Sequence, residues 1–323
     1  MKTQRPAILI IRLSAMGDIL STLPAASSLR KSCPEHRIVW TISPKWLPLI
    51  EGNPDIDEIV PFHRNGLPNL LASLGKLHAI RPEIAIDFQT LIYTAAIGRL
   101  ARPRRFYGWD AGYSREFLAG YFYSHRIRYR SEHVVDQNLE LAAAAGAAEL
   151  VREFRIPAGS PEGALPAGPF VLANPFAGWA AKEWPLANYP LLAEALKPEG
   201  LALALNVPPQ RRQEVNELAG VHIHVSSLPG LIDATRRAAA VLGLDSGPLH
   251  LAAALRKPGV ALYGPTDPAR NGPYGGTVRV IRGAAARTSH KRRKQIDPSM
   301  KTITVDQVHD ALRVVLNTAG SHA

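Results

Sequence analysis

The chain has 323 residues, 46% of them hydrophobic, which is enough for two cores, since single cores stop growing near roughly 250–300 residues. No uninterrupted apolar stretch approaches the roughly 20 residues needed to cross a bilayer, no secretory signal opens the chain, and a single cysteine, Cys33, excludes an intramolecular disulfide. A net charge of +11 favours anionic partners such as nucleic acid, phosphorylated substrates or an acidic membrane surface, and selects none of them. The expectation is a soluble cytoplasmic protein.

In chain order, "AILIIRL" (7–13) reads as a buried strand and "DILSTLPAASSLRKSCP" as a helix with Ile19, Leu20, Leu23, Ala26 and Leu29 on its inner face. "HRIVWTIS" and "IDEIVPF" are strands, "LPNLLASLGKLHAIRP" a helix and "EIAIDFQ" a strand. "TLIYTAAIGRLAR" is helical, "RRFYGWD" a short strand, and "HVVDQNLELAAAAGA" an amphipathic helix closing the first half. A stretch rich in Pro, Gly and Ala then loses all periodicity; the domains expected are 1–155 and 169–323, with 156–168 as linker. Beyond it the pattern restarts: strand "FVLANP", helix "LANYPLLAEALKP", strand "GLALALNV", helix "PQRRQEVNELAG" and strand "VHIHVSS". Helix "LPGLIDATRRAA", strand "AVLGLDSG", helix "PLHLAAALRKP" and strand "GVALYGPT" follow, and the helix "TVDQVHDALRVVLNTA" ends the chain with Thr304 as its cap. Strands alternating with helices predict two α/β domains, each a doubly wound parallel sheet.

Ligands of such sheets bind beyond the carboxyl ends of the strands. Asp18 stands there, in "LSAMGDILSTLP" (13–24), where a strand hands over to a helix. Gly17 is expected to turn the backbone tightly beside it; the plain alternative is that Asp18 only caps the helix. In "GLDSGPLHLAAAL" (243–255), a strand ends in Asp245, Ser246 and Gly247 make the turn, and Pro248 suits the first helical turn. The free N–H groups of that helix suit a diphosphate and Asp245 suits sugar hydroxyls; alternatively Ser246 merely caps the helix and Asp245 bonds within the turn. His250, one turn in, reads as a packed histidine if taken alone. Lys182, in "NPFAGWAAKEWPLANY", offers a point charge for phosphate or is a solvated lysine, while Trp184 and Pro185 look like packing. Thr266 and Asp267, in the Gly/Pro-dense "LYGPTDPARNGPYG", meet a ligand or shape a turn. Asp55 and Asp57 in "PDIDEI" resemble an acidic metal pair but precede a short strand, so no metal site is expected there. Neither G-x-G-x-x-G, nor a P-loop, nor a Cys/His cluster with zinc spacing is present. The run "HKRRK" (290–294) lacks interleaved aromatics and reads as a solvated loop, so nucleic acid is not an expected partner.

Taken in order, "LSAMGDILSTLPA", "IDFQTLIYTAAIGRLA", "HVVDQNLELA", "KEWP", "DSGPLHLAAAL" and "YGPTDP" resemble the bacterial lipopolysaccharide heptosyltransferases (glycosyltransferase family 9), the first motif favouring type I over type II. That resemblance implies a GT-B fold: two Rossmann-like domains facing a cleft, with the last helix packing back towards the first. It implies an inverting, metal-independent enzyme without cofactor that moves L-glycero-D-manno-heptose from ADP-heptose to the Kdo sugar of lipid A, attached peripherally to the anionic cytoplasmic face of the inner membrane. By motif, Asp18 becomes the general base, Lys182 contacts the donor phosphates, and Asp245 holds the heptose hydroxyls. Ser246 and Gly247 present backbone N–H groups to the diphosphate, with His250 in the same motif. On the acceptor side stand Gly17 and, in "YSREFLAGYFY", Arg115. This chain departs from the pattern at "LNVPPQRRQEV", where the usual Gly is missing and Gln213 or Glu214 is left to meet the ribose, and in the loop at 63–76, which is shorter and less basic. A nucleotide-sugar or nucleic-acid binding protein without catalysis, on the same scaffold, is the alternative of another class; retention of Asp18, Lys182 and Asp245 together favours the enzyme.

Overall fold

A computed structural model describes residues 5–284, 286 and 295–320; the basic run at 290–294 lies outside the described residues. The chain divides into two compact units, Met1–Pro157 and Ala158–Ala323. The first carries β1 (Ala7–Ile11), α1 (Met16–Leu20), α2 (Leu23–Ser32), β2 (Arg37–Ile42), β3 (Glu58–Pro61), α3 (Leu67–Ile80), β4 (Ile84–Asp87), α4 (Ile92–Leu100), β5 (Arg105–Trp109), β6 (His125–Ile127) and α5 (Val134–Ala144). The second carries β7 (Phe170–Ala173), α6 (Asn188–Leu196), β8 (Ala202–Val207), β9 (His222–Val225), α7 (Leu228–Arg237), β10 (Ala240–Leu244), α8 (Gly247–Ala254), β11 (Gly259–Tyr263), α9 (Pro268–Asn271), β12 (Val278–Arg282), α10 (Pro298–Lys301) and α11 (Val305–Gly320).

Both sheets are six-stranded and parallel, in the orders β3-β2-β1-β4-β5-β6 and β12-β11-β10-β7-β8-β9. Counted within each unit, these are one doubly wound order, 3-2-1-4-5-6, used twice. The order reverses between β1 and β4 in the first sheet and between β7 and β10 in the second, and ligands of such sheets sit beyond the strand ends at that reversal. Continuous apolar runs serve these central strands because helices cover both faces of a parallel sheet; every residue of β1, β10 and β11 is buried. Around Leu9, Ile11 and Phe106 gathers the first core, with Ala95 and Ile97 of α4. Leu203, Leu242 and Val260 centre the second, closed by Leu192 and Leu196 of α6 and Val308 and Leu312 of α11. No helix among the described residues is long and apolar enough to cross a membrane.

Three expectations are corrected. The helix read through 18–32 breaks after Leu20, because Pro24 lies in the first turn of α2, and the Ser21 and Thr22 hydroxyls each donate to the Asp18 carbonyl at 2.8 Å. The helix read at 209–220 is one 3₁₀ stretch, Pro209–Glu214; Val215 is the only buried residue it leads to, and Arg211 is drawn aside into ion pairs. Strands β6 and β12 were not anticipated, since edge strands half in solvent carry no apolar run. Within 158–168, expected as linker, Glu162 accepts hydrogen bonds from the Ser227 amide (2.7 Å) and hydroxyl (2.6 Å) of the second unit. Helix α11 packs on α6 and on β10, β11 and β12 of that unit.

Candidate active site

Two constellations stand at the two strand-order reversals. In the first unit the chain leaves β1 through Arg12–Ala15 and enters α1, where Asp18 is the third residue. Its position is heavily constrained. The Asp18 carbonyl accepts from Arg12 Nε (3.2 Å) as well as from Ser21 and Thr22, and Asn138 of α5 donates to the Ser21 carbonyl at 3.0 Å. The Asp18 carboxylate reaches back to the Ala15 amide at 3.4 Å and remains about one-third exposed. Two guanidiniums flank it, Arg115 Nη1 at 3.7 Å and Arg12 Nη2 at 3.9 Å. So Asp18 does cap the helix weakly, and it also presents a carboxylate oxygen between two cations. Gly17 lies inside α1 with helical backbone, so the tight turn expected of it is not made there.

What holds this arrangement comes from β4. Asp87, wholly buried at the strand end, accepts from the amides of Gln89 (2.9 Å) and Thr90 (3.0 Å) through one oxygen and from the hydroxyls of Thr94 (2.8 Å) and Tyr123 (3.0 Å) through the other. Burial pushes this carboxyl above the usual carboxylate range, against the pull of its four donors. Thr90 is thereby fixed in the left-handed region (φ 53°), and its hydroxyl accepts the Arg115 amide at 3.0 Å. Gln89 Oε1 accepts the amides of Leu13 (2.7 Å) and Ser14 (3.2 Å), tying the loop before Asp18 to the β4 end. Its amide also donates to Tyr93, over whose ring the Arg64 guanidinium lies at 5.3 Å. Arg12, buried on the strand, is pulled below its ordinary value by desolvation and held up by Asp18 and Asp87; a guanidinium remains charged all the same. Arg12, Arg64, Gln89 and Thr90 escaped the sequence reading. Only Arg12 left a trace there, as a charge interrupting an apolar strand.

In the second unit, Lys182 follows β7 and Asp245 follows β10. Lys182 Nζ lies 2.5 Å from Asp245 Oδ2 and 4.2 Å from the centroid of the Trp179 ring, with both ion-pair side chains 13% exposed. Lys182 is therefore no freely solvated lysine. Trp184 is wholly buried and donates to the Ile303 carbonyl at 2.9 Å, which anchors the Lys182 loop as expected of a packing residue. Ser246 precedes α8 but its hydroxyl does not cap the helix; it donates to the Leu244 carbonyl at 3.2 Å. Gly247 opens α8, and His250 sits half-buried one turn in. Gly243 permits the close approach of α8, since a Cβ there would lie 2.9 Å from Leu249. Glu214 is not brought to this pair: both its oxygens are taken by Arg211, at 2.6 and 2.7 Å, which holds it below the usual carboxylate range. Arg211 also bonds Glu183 at 2.7 Å and stacks 3.5 Å from the centroid of Phe176.

Two buried polar atoms at the same sheet edge lack partners, Asn174 Nδ2 after β7 and Thr266 Oγ1 after β11. An orphaned buried donor costs on the order of 1–3 kcal/mol. Asn174 was missed because asparagine after a strand reads as a turn residue. Asp267, by contrast, caps α9 by accepting the Ala269 amide at 3.0 Å. Asp55 and Asp57 are spent structurally: Asp55 accepts from Ser27 (2.5 Å) and Arg155 (3.2 Å), and Asp57 pairs with Arg30 and accepts the Ile38 amide.

Comparison with known proteins bears on this arrangement. A family model described as "Glycosyltransferase family 9 (heptosyltransferase)" matches residues 73–301. Lipopolysaccharide heptosyltransferase 1 of Pseudomonas aeruginosa is 26% identical over 288 residues, 83% of this chain and 81% of its own length. Its namesake from Escherichia coli K12 is 28% identical over 305 residues, covering 85% and 93%. Among solved structures, E. coli heptosyltransferase WaaC with ADP superposes with a TM-score of 0.79 at 23% identity, over 96% of this chain and 99% of that one. A family 9 glycosyltransferase from Veillonella parvula gives 0.80 at 20% identity, over 98% and 99%. Those likenesses establish the GT-B fold that the resemblance implied. With the family profile spanning most of the chain, the protein belongs to glycosyltransferase family 9, the heptosyltransferases.

Proposed function

We propose that the protein transfers L-glycero-D-manno-heptose from ADP-heptose to a Kdo sugar of lipid A, with inversion and without a metal, in lipopolysaccharide inner-core synthesis. The observation that carries this reading is the pair of constellations at the two strand-order reversals: an accessible carboxylate between guanidiniums in one unit, and a lysine–aspartate pair beside a helix start in the other. Relatives named lipopolysaccharide heptosyltransferase 1 support the sugar and the acceptor class. In this reading Asp18 takes the proton of the attacking acceptor hydroxyl. Arg12, Arg64 and Arg115 favour an anionic acceptor, the carboxylate of Kdo among its charges. Lys182 and the first N–H groups of α8, from Ser246 and Gly247 on, meet the charge that grows on the departing diphosphate, the task a divalent cation performs in other transferases. Asp245 accepts from heptose hydroxyls, so donor binding exchanges part of the Lys182–Asp245 pair for contacts with the ligand; Asn174 and Thr266 gain the partners they lack. Glu214, held by Arg211, meets the ribose only if that pair opens.

The test is ADP release from ADP-heptose with and without Kdo-lipid A, beside a panel of other nucleotide sugars. Release that requires both ADP-heptose and the acceptor supports the reading. Equal turnover of another nucleotide sugar would replace the donor, and binding without turnover would make this a binding protein.

A further inference from the structure

The segment between β5 and β6 carries the largest group of exposed apolar side chains among the described residues. Phe117, Leu118 and Tyr121 are each more than half exposed, and Tyr113 and Phe122 more than a third. They are not loose. Ala119, Gly120 and Tyr123 of the same segment are buried; Tyr123 donates to Asp87, and the backbone of Glu116 donates to the Thr90 carbonyl at 3.1 Å. The scaffold that sets Arg115 against Asp18 thus also holds this apolar surface outward. Arg115, Arg126 and Arg130 belong to the same stretch, where Glu116 is the only acidic residue from 111 to 130, while Arg128 is paired with Asp110 at 2.7 Å. The Arg126 guanidinium lies 5.4 Å from the Tyr121 ring centroid, and Phe117 stacks edge-on to Tyr121 at 5.7 Å.

From this juxtaposition we infer that the surface formed by Phe117, Leu118, Tyr121 and Phe122, rimmed by Arg126 and Arg130, docks on an anionic lipid leaflet and so delivers a lipid-anchored acceptor to Asp18. The inference rests on the acceptor class proposed above. Exposed aromatic and aliphatic side chains beside arginines suit the headgroup boundary, where the rings enter the acyl region and guanidiniums meet lipid phosphates. A second copy of the chain is the poorer occupant, because a two-fold contact would set the same arginines against one another.

Flotation of the full chain with vesicles of phosphatidylglycerol and phosphatidylethanolamine, and with neutral phosphatidylcholine vesicles, tests it. The parent is expected to float with anionic vesicles at about 0.15 M salt and much less at about 1 M, where the Debye length falls from roughly 8 to roughly 3 Å. The triple variant Phe117→Ser, Leu118→Ser, Tyr121→Ser changes only exposed side chains and should lose roughly 30- to 100-fold in binding. Arg126→Ala, Arg130→Ala should lose about 25-fold at low salt, at about 1 kcal/mol, or fivefold, for each arginine. With a deacylated, water-soluble acceptor, both variants should keep kcat/KM within about twofold of the parent, while acceptor presented in vesicles should be turned over poorly. Variants that float like the parent, or equal binding to neutral vesicles, overturn the inference. So does an apolar variant that turns a dimer into a monomer with flotation unchanged. Normal flotation of the parent, its loss in both variants and no turnover with any acceptor would support the surface and reject the functional reading.

Discussion

Asp18 is locked through its backbone rather than its carboxylate, which separates its two roles experimentally. Arg12, Ser21 and Thr22 all donate to its carbonyl, and the carboxylate's own contact to Ala15 is long. Asp18→Asn keeps the shape, the carbonyl and the reach to Ala15 but removes the base. Turnover is expected to fall by roughly 10²–10⁴ with the melting temperature nearly unchanged; near-parental turnover would take Asp18 out of the mechanism. For Lys182→Ala the expected loss is roughly 10²–10³ in rate together with weaker donor binding, because the ammonium gains importance as charge develops on the diphosphate. Steady-state kinetics matching the parent would leave Lys182 only its pairing with Asp245. Both residues stood out through the family motifs; by position alone Asp18 also reads as a helix cap and Lys182 as a solvated lysine. Asn174 and Gln89 were not legible, since small polar residues after strands are common in turns, and Thr266 read equally as a ligand contact or a turn residue. Only their burial, and in two cases their missing partners, distinguishes them.

At the scale of elements, local chemistry and long-range packing divide the work. Thr304 caps α11 as read from the sequence: its hydroxyl accepts the Gln307 amide at 3.2 Å, and Gln307 Oε1 accepts the Thr304 amide at 3.0 Å. This reciprocal pair is a capping box. Thr304→Ala should cost about 1 kcal/mol in urea unfolding, and a change below a few tenths would show that packing of Val308 and Leu312 alone sets the helix start. Asp87 belongs to the β4 end, and its effect depends on pH. Burial raises its pKa above the unfolded value of about 3.9, so the native chain holds that proton more tightly. Its contribution to stability is then greatest below about pH 4 and declines as pH rises through the folded value. Accordingly, the stability gap between the parent and Asp87→Asn should narrow from about pH 4 to pH 7; a gap that widens would mean the four donors outweigh desolvation. The buried strands announced themselves as apolar runs, whereas β6 and β12 and the broken helix at 209–214 did not. Edge strands need no apolar run, and helical spacing at 209–220 could not reveal that Arg211 would turn to Glu183 and Glu214.

For the whole molecule, the repeated topology predicts a local response to ADP. Each unit has its own sheet and core, and the residues proposed for the donor all lie in the second. Bound ADP should slow amide hydrogen exchange at 174–184 and 244–250 and stabilise that unit by about 2.7 kcal/mol at a hundredfold excess over Kd, with exchange at 14–18 unchanged. Protection confined to the first unit would reverse the assignment of donor and acceptor sides. By itself the sequence determined the two α/β units, the parallel sheets, the family and the principal charged residues, because period, apolar runs and ordered motifs are local properties of a chain. It could not show that Arg12 and Arg115 close on Asp18, that Lys182 meets Asp245, or that Asp87 and Thr90 support the first of these. Those pairs are separated by up to about a hundred residues and meet only because parallel strands bring their carboxyl ends to one edge of a sheet. The exposed apolar surface at 113–122 was likewise decided by the fold, since an aromatic-rich stretch is read as core until burial of its neighbours shows which side chains are left outside.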